Sequence, residues 1–244
     1  MAVTNVCAMP APAPIHLRPA TDLAERVLLP GDPHRALAVA QDLLEKPLMF
    51  NHARGLWGYT GSAPDGAPLT VQSTGMGGPS AAIVIEELIG LGARTLLRIG
   101  TCGALVDGLE LGQLVAVNEV FGADGASTAL GTGRRLSPDP ELTSLLVDRG
   151  ARGVSAVSTD LFYDPREEIH ARWRGEGAEV IEMETATLLA VTGMREVTGA
   201  ALLVVSDLLA SGGRKRLDTE ALGAAGIALG RAGYAALADT PGER

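Results

Sequence analysis

The chain has 244 residues, of which 46% are hydrophobic and 20% charged. That is enough apolar material for one large core, and it excludes wholesale disorder despite 31 Gly and 14 Pro. Twenty Lys and Arg against 29 Asp and Glu give a formal charge of −9, the wrong sign for a general nucleic-acid or anionic-membrane binder, so an anionic substrate needs a local basic pocket.

The opening residues, MAVTNVCAMPAPAPI, contain no Lys or Arg and no continuous apolar run. They read as a flexible tail over 1–15 rather than a signal peptide. Purely apolar stretches such as Ala200 to Val205 fall far below the roughly 18 residues of a bilayer span, so no transmembrane helix is expected and the cytoplasm is the expected location. Cys7 and Cys102, with four scattered His, offer neither a disulfide framework nor a metal-ligand set.

After the tail, a short strand from Val27 to Leu29 runs into Pro30-Gly31-Asp32-Pro33, where Asp32 caps and Pro33 starts a helix to about Leu44. Leu56 to Gly61 and Pro68 to Ser73 flank Pro64-Asp65-Gly66 and predict a hairpin. Gly77-Gly78-Pro79-Ser80 opens a helix ending near Gly92, followed by a buried strand from Thr95 to Ile99 and a loop at Gly100-Thr101-Cys102-Gly103. Further strands are predicted at Leu114 to Val117, Val154 to Ser158, Glu179 to Glu182 and Ala200 to Ser206. Helices are predicted near Asp139 to Arg149, Pro165 to Arg174, Thr185 to Arg195 and Asp218 to Ala238. The last carries Gly223, Gly226, Gly230 and Gly233, each costing about 1 kcal/mol against Ala unless close packing offsets it. The alternation predicts an α/β domain whose sheet is covered on both faces, and the hairpin makes that sheet mixed.

Ligands of open α/β sheets gather at the carboxyl ends of strands, and four stretches fall there. Gly31 lets backbone approach a ligand beside the planar fork of Arg35. Arg98, Thr101 and the neighbouring glycines combine a cation, a hydroxyl and free backbone donors, the mixture that phosphate needs. Phe162 and Tyr163 stand together in Ser158-Thr159-Asp160-Leu161-Phe162-Tyr163-Asp164-Pro165, where one ring can stack on a planar base. Glu182-Met183-Glu184 and Val205-Ser206-Asp207 place carboxylates that can hold sugar hydroxyls and move a proton. Each stretch also has a purely structural reading: a turn, an internal ion pair, a core plug, a helix cap.

Taken together, PGDPHRA, NHARGLWGYTG, STGMGGPSA, RIGTCGA, STDLFYDP, EMET and VSD resemble, in order and approximate spacing, the nucleoside phosphorylases of the hexameric purine/uridine type, over about residues 16 to 237. The resemblance implies a single three-layer α/β/α domain over 16–244 with a central mixed sheet, assembled as a homo-oligomer, usually a trimer of dimers. It implies cleavage of a nucleoside by inorganic phosphate, a co-substrate, to free base and (deoxy)ribose 1-phosphate, with neither metal nor organic cofactor. Gly31, Arg35, Arg98 and Thr101 would hold phosphate, and Arg54 would reach into the neighbouring subunit's site. Met76, Glu182, Met183 and Glu184 would surround the nucleoside, with Glu184 on the ribose hydroxyls, Phe162 on the base and His16 lent to the neighbour's 5′-hydroxyl. Asp207 would donate a proton to N7 of the leaving base, which favours purines. Uridine-type relatives instead use Gln and Arg in the loop and strand preceding Glu182-Met183-Glu184, and that loop here reads Phe162-Tyr163-Asp164-Pro165-Arg166-Glu167-Glu168, with no Gln.

One departure concerns a cation. Purine enzymes of this type assist the Asp with a later arginine, at a place that here falls near Glu220, whereas Arg214, Lys215 and Arg216 come earlier, after Ser211-Gly212-Gly213. That run supplies a substitute cation, or the enzyme prefers 6-oxopurines or methylthioadenosine. Methylthioadenosine or uridine phosphorolysis and a nucleosidase using water are the enzymatic alternatives; Arg35, Arg54 and Arg98 argue against the nucleosidase. A non-catalytic sugar-phosphate module would need the arginines but not Glu184 and Asp207 together.

Overall fold

The structure, a computed structural model, describes residues 13–166, 168–210 and 214–240. Cys7, most of the expected tail and Ser211-Gly212-Gly213 lie outside the described residues. The first half of the chain forms β1 (Arg26–Leu29), α1 (Pro33–Leu43), β2 (Glu45–Asn51), β3 (Gly58–Ser62), β4 (Pro68–Gln72), α2 (Gly78–Gly90), β5 (Thr95–Ala104) and β6 (Leu114–Ala123). The second half forms α3 (Gly125–Leu130), β7 (Arg135–Leu136), α4 (Pro140–Asp148), β8 (Arg152–Thr159), α5 (Ile169–Gly175), β9 (Val180–Glu182), α6 (Thr185–Arg195), β10 (Thr198–Leu208), β11 (Lys215–Arg216) and α7 (Thr219–Asp239).

Helix starts follow the local chemistry. Asp32 accepts the His34 N–H at 2.8 Å ahead of Pro33, and Asp139 and Asp218 accept from Leu142 and Ala221, each at 2.8 Å. Helix α5 begins later than the expected Pro165, because Asp164 binds the Arg166 N–H at 3.0 Å and its guanidinium as well, an Asx-type turn that competes with helix. Strand β2 was not expected: Pro47 and its polar flank obscure an edge strand that pairs antiparallel with β3. Strand β6 runs past Val117 because its register shifts between Val117 and Glu119, and the apolar pattern resumes beyond that bulge.

The strands lie in the order β11-β10-β6-β8-β9-β5-β1-β4-β3-β2, with β7 on β6. The sheet is mixed, as expected. Strand β5 also pairs with β10, so β10, β6, β8, β9 and β5 form a closed ring from which β1, β4, β3 and β2 extend. One core layer packs α2 and α6 on the sheet through Val84, Ile85, Leu88, Leu188 and Val191. The other packs α1, α4 and α7 through Val39, Leu142, Leu146, Leu229 and Leu237.

Helix α7, 21 residues long, contains an 18-residue stretch of mean hydropathy 1.3, enough length and apolarity to cross a bilayer, yet it is a packed layer of this domain. A Cβ on Gly230 would lie 2.7 Å from Val39 Cγ1, and one on Gly233 3.0 Å from Ile99 Cγ2, whereas Gly223 faces nothing within 4 Å. Close approach to α1 and the sheet therefore explains Gly230 and Gly233 but not Gly223.

Residues 100–103 do not form the expected loop: they continue β5 to Ala104 and pair with both β10 and β9. Strands β8 and β9 run opposite to β5 and β10. The candidate residues therefore do not share one edge of carboxyl ends; β9 delivers its end to the flank of β5, and the site runs along β5 from Arg98 toward Gly103.

Candidate active site

Arg98 sits within β5, opposite Leu29 of β1 and Ala201 of β10. Its side chain is 6% exposed; Nε donates to Glu182 Oε2 at 3.0 Å and Nη2 meets Glu184 Oε2 at 2.5 Å. Burial alone would lower this guanidinium, yet Glu184 and Glu182 outweigh it and hold it above its ordinary value. Gly100 makes the geometry possible: a Cβ there would lie 2.6 Å from Arg98 Nη2, so the side chain folds back over a bare strand residue.

Arg35, in the first turn of α1, is half-buried and has no hydrogen-bond or ion-pair partner among the described residues. Burial lowers its guanidinium, Asp32 opposes this, Arg98 adds to it and Glu184 opposes it, which places Arg35 in the field of the Arg98–Glu184 pair. Gly31 precedes the helix so close to the next loop that a Cβ would lie 3.3 Å from Gly75 O. Thr101 lies on β5 opposite Val204, partly exposed.

Glu182 and Glu184 are both buried, but their surroundings differ. Glu182 accepts from Arg98, from Ser158 Oγ, from the Glu184 N–H at 2.9 Å and from the Thr185 N–H at 2.9 and 3.1 Å. Its lone pairs are committed to Arg98 and to the start of α6. Among the described residues Glu184 accepts only the Gly77 N–H, at 2.5 Å, besides its contact with Arg98. Burial pushes Glu184 above the usual carboxylate range, with Arg98 opposing and Glu182 adding to the rise. Met183 between them is half-buried, and Met76 is 86% exposed.

Asp207 is buried on β10 opposite Gly103, just after a register shift between Val205 and Asp207. Its Oδ1 accepts from Arg214 Nε at 2.7 Å and its Oδ2 from Ser206 Oγ at 2.8 Å. The Arg214 guanidinium carbon also lies 4.7 Å from the Phe162 ring centroid. Of the three basic residues in that segment, Arg214 is thus the one bonded to Asp207; Arg216 Nη1 stands at 3.8 Å, and no contact joins Lys215 to it among the described residues. Phe162 and Tyr163 meet edge to face at 4.9 Å. Cys102 is buried within β5, its thiol pushed up by burial and by Glu182.

His16 and Arg54 come together elsewhere. With Ile15, Arg18 and Ala53 they line a cavity of about 270 Å³. Asn51 builds it, accepting the Arg18 N–H at 2.9 Å and the Ala53 N–H at 3.3 Å through one side-chain oxygen. Arg54 is exposed on a short 3₁₀ turn with φ 58°, a left-handed conformation that costs a non-glycine residue energy and clusters at functional positions. Among the described residues no hydrogen bond or ion pair joins His16 or Arg54 to Arg35, Arg98, Glu184 or Asp207. Sequence reasoning missed Arg18, Glu87 and Asn51; Asn51 stands inside the motif NHARG, whereas Glu87 meets His16 only through the fold. No cluster of three or more His, Cys, Asp or Glu suited to a metal occurs among the described residues.

A sequence model of the phosphorylase superfamily matches residues 25–238. The chain is 34% identical over 208 residues to a DeoD-type purine nucleoside phosphorylase of Clostridium beijerinckii, covering 81% of this chain and 87% of that protein. The DeoD-type purine nucleoside phosphorylase of Caldanaerobacter subterraneus subsp. tengcongensis is 36% identical over 203 residues, 78% of this chain and 86% of its own length. That of Alkaliphilus metalliredigens is 33% identical over 202 residues, 79% and 86% respectively. With a match from the first strand to the last helix, the chain belongs to the phosphorylase superfamily.

Proposed function

We propose that this protein is a purine nucleoside phosphorylase, converting a purine (deoxy)ribonucleoside and phosphate to free base and (deoxy)ribose 1-phosphate. The observation that carries the reading is Arg35. A half-buried guanidinium with no hydrogen-bond or ion-pair partner among the described residues, in the field of Arg98, is suited to receive an anion, because a charge withdrawn from water needs compensation. Phosphate supplies it, with Gly31 and Thr101 alongside and Arg54 contributed by a neighbouring subunit.

Glu184, with lone pairs to spare, accepts the ribose hydroxyls while Met183 packs on the sugar and Phe162 stacks on the base. A phosphate oxygen attacks C1′ as the C1′–N9 bond breaks and its electron pair passes to the purine. Asp207 acts as the general acid, giving a proton to N7 of the departing base, and Arg214, bonded to its Oδ1, stabilises the carboxylate left behind. His16 and Arg54 sharing one cavity, apart from the Arg98 cluster, supports a homo-oligomer with shared sites, and we take it to be a trimer of dimers acting in the cytoplasm.

The test is base release from inosine, guanosine and adenosine as phosphate is varied. Release should saturate with phosphate and vanish without it. Equal release in phosphate-free buffer would mean a nucleosidase and would overturn this reading.

A further inference from the structure

One buried carboxylate has no place in that mechanism. Glu87, on α2, is 4% exposed. It accepts the backbone N–H groups of Ile15 at 3.0 Å, His16 at 3.0 Å and Leu17 at 2.7 Å, and His16 Nδ1 stands 2.7 Å from its Oε1. Burial works against its charge, but the donors of Leu17, Ile15 and His16 outweigh burial and hold it below the usual carboxylate range. Glu87 is therefore an ionised acceptor, and an acceptor facing Nδ1 requires the ring proton to be there. In the neutral form of a ring held this way the free lone pair is on Nε2, which has no partner among the described residues.

The same ring lines the cavity that holds Arg18 and Arg54. Two guanidinium groups select an anion; an imidazole lone pair selects a hydroxyl proton. Phosphate beside the 5′ end of a nucleoside presents that combination. A 5′-methylthio group has no proton to give and would set a sulfur lone pair against Nε2.

We propose that Glu87 is a positioning residue: it fixes His16 as a hydrogen-bond acceptor and so makes the enzyme select nucleosides with a 5′-hydroxyl over 5′-deoxy and 5′-methylthio analogues. This rests on the reading that His16 and Arg54 complete the site of a second copy. The arrangement also gives the segment Ile15 to Leu17 a task, since the clamp on its backbone sets where the ring stands.

The experiment has two arms on the assembled enzyme. Solid-state NMR of enzyme labelled with ¹⁵N-histidine, His16 being assigned by its loss in His16→Ala, should show the free enzyme at pH 8 with a proton on Nδ1 and none on Nε2. Kinetics should show inosine preferred over 5′-deoxyinosine, and adenosine over 5′-methylthioadenosine, by about ten-fold in kcat/KM, the scale of one neutral hydrogen bond. His16→Ala, which keeps the backbone bonds to Glu87, and Glu87→Gln should both bring that ratio close to one, chiefly by raising KM for the 5′-hydroxyl nucleoside. A proton on Nε2, or an unchanged ratio in His16→Ala, overturns the proposal. Neither result touches phosphorolysis itself, which stands or falls on the phosphate requirement of the wild-type enzyme.

Discussion

Gly100→Ala tests the phosphate site without touching a charged residue. The added methyl carbon would lie 2.6 Å from Arg98 Nη2, 2.7 Å from its Cζ and 3.0 Å from Leu203 Cδ2. Normal carbon contacts need about 3.5 Å or more, so the guanidinium must retreat by about 1 Å. It has no slack: the same group holds Glu182 at 3.0 Å and Glu184 at 2.5 Å. Retreat stretches two charge-assisted bonds, each of the kind worth about 1.5–3 kcal/mol, and turns the fork away from phosphate. Losing even one such bond to phosphate predicts a rise in phosphate KM of about 10- to 100-fold. Overpacking should lower stability by about 1–3 kcal/mol, which leaves the fold intact at room temperature. Steady-state kinetics with varied phosphate, alongside thermal unfolding, measure both. A Gly100→Ala enzyme that folds and keeps the wild-type phosphate KM would refute the role given to Arg98.

Asp207→Asn should slow inosine cleavage by about 10²- to 10⁴-fold, but 7-methylguanosine, whose N7 needs no proton, should lose far less. Equal loss on both substrates in parallel assays would make Asp207 structural. For pH dependence the sign is set by Glu184: burial raises its pKa, so the ionised form that accepts ribose hydroxyls is lost as pH falls while still above the usual carboxylate range. The acid limb of kcat/KM for inosine should lie there, and Glu182→Gln should move it to lower pH by removing a neighbouring negative charge; a shift to higher pH would contradict the assignment. In α7, Gly223→Ala should stabilise by about 1 kcal/mol through helix propensity alone. Gly230→Ala should instead destabilise by about 1–3 kcal/mol, because its methyl would meet Val39 at 2.7 Å. Urea unfolding of the pair separates the two effects, and equal changes would refute the packing account.

Much of the fold was legible because its signals are local. The Asp32-Pro33, Asp139-Pro140 and Asp218 caps, the turn at Asp65-Gly66 and the apolar helices stand in the sequence as they stand in space. Glycine misled at residues 100–103, since it usually ends strands, and only the folded-back Arg98 reveals why a strand needs it there. The ring closure of β5 on β10 was not legible, because pairing between residues about a hundred positions apart depends on the whole topology. The candidate site divides in the same way. Its residue types followed from short motifs, but which arginine serves Asp207, that Glu182 is spent on Arg98, and that Glu87 holds His16 are facts of three-dimensional contact. Arg35 is the sharpest instance, because its having no hydrogen-bond or ion-pair partner among the described residues cannot be read from a motif.

The most direct measurement of the central claim is the fate of oxygen in the sugar product. With inosine and phosphate carrying four ¹⁸O atoms, ³¹P NMR of the reaction should show ribose 1-phosphate retaining all four labels, its anomeric oxygen having come from phosphate at the Arg35–Arg98 site. Free ribose as the product, with the labelled phosphate unchanged, would contradict the account.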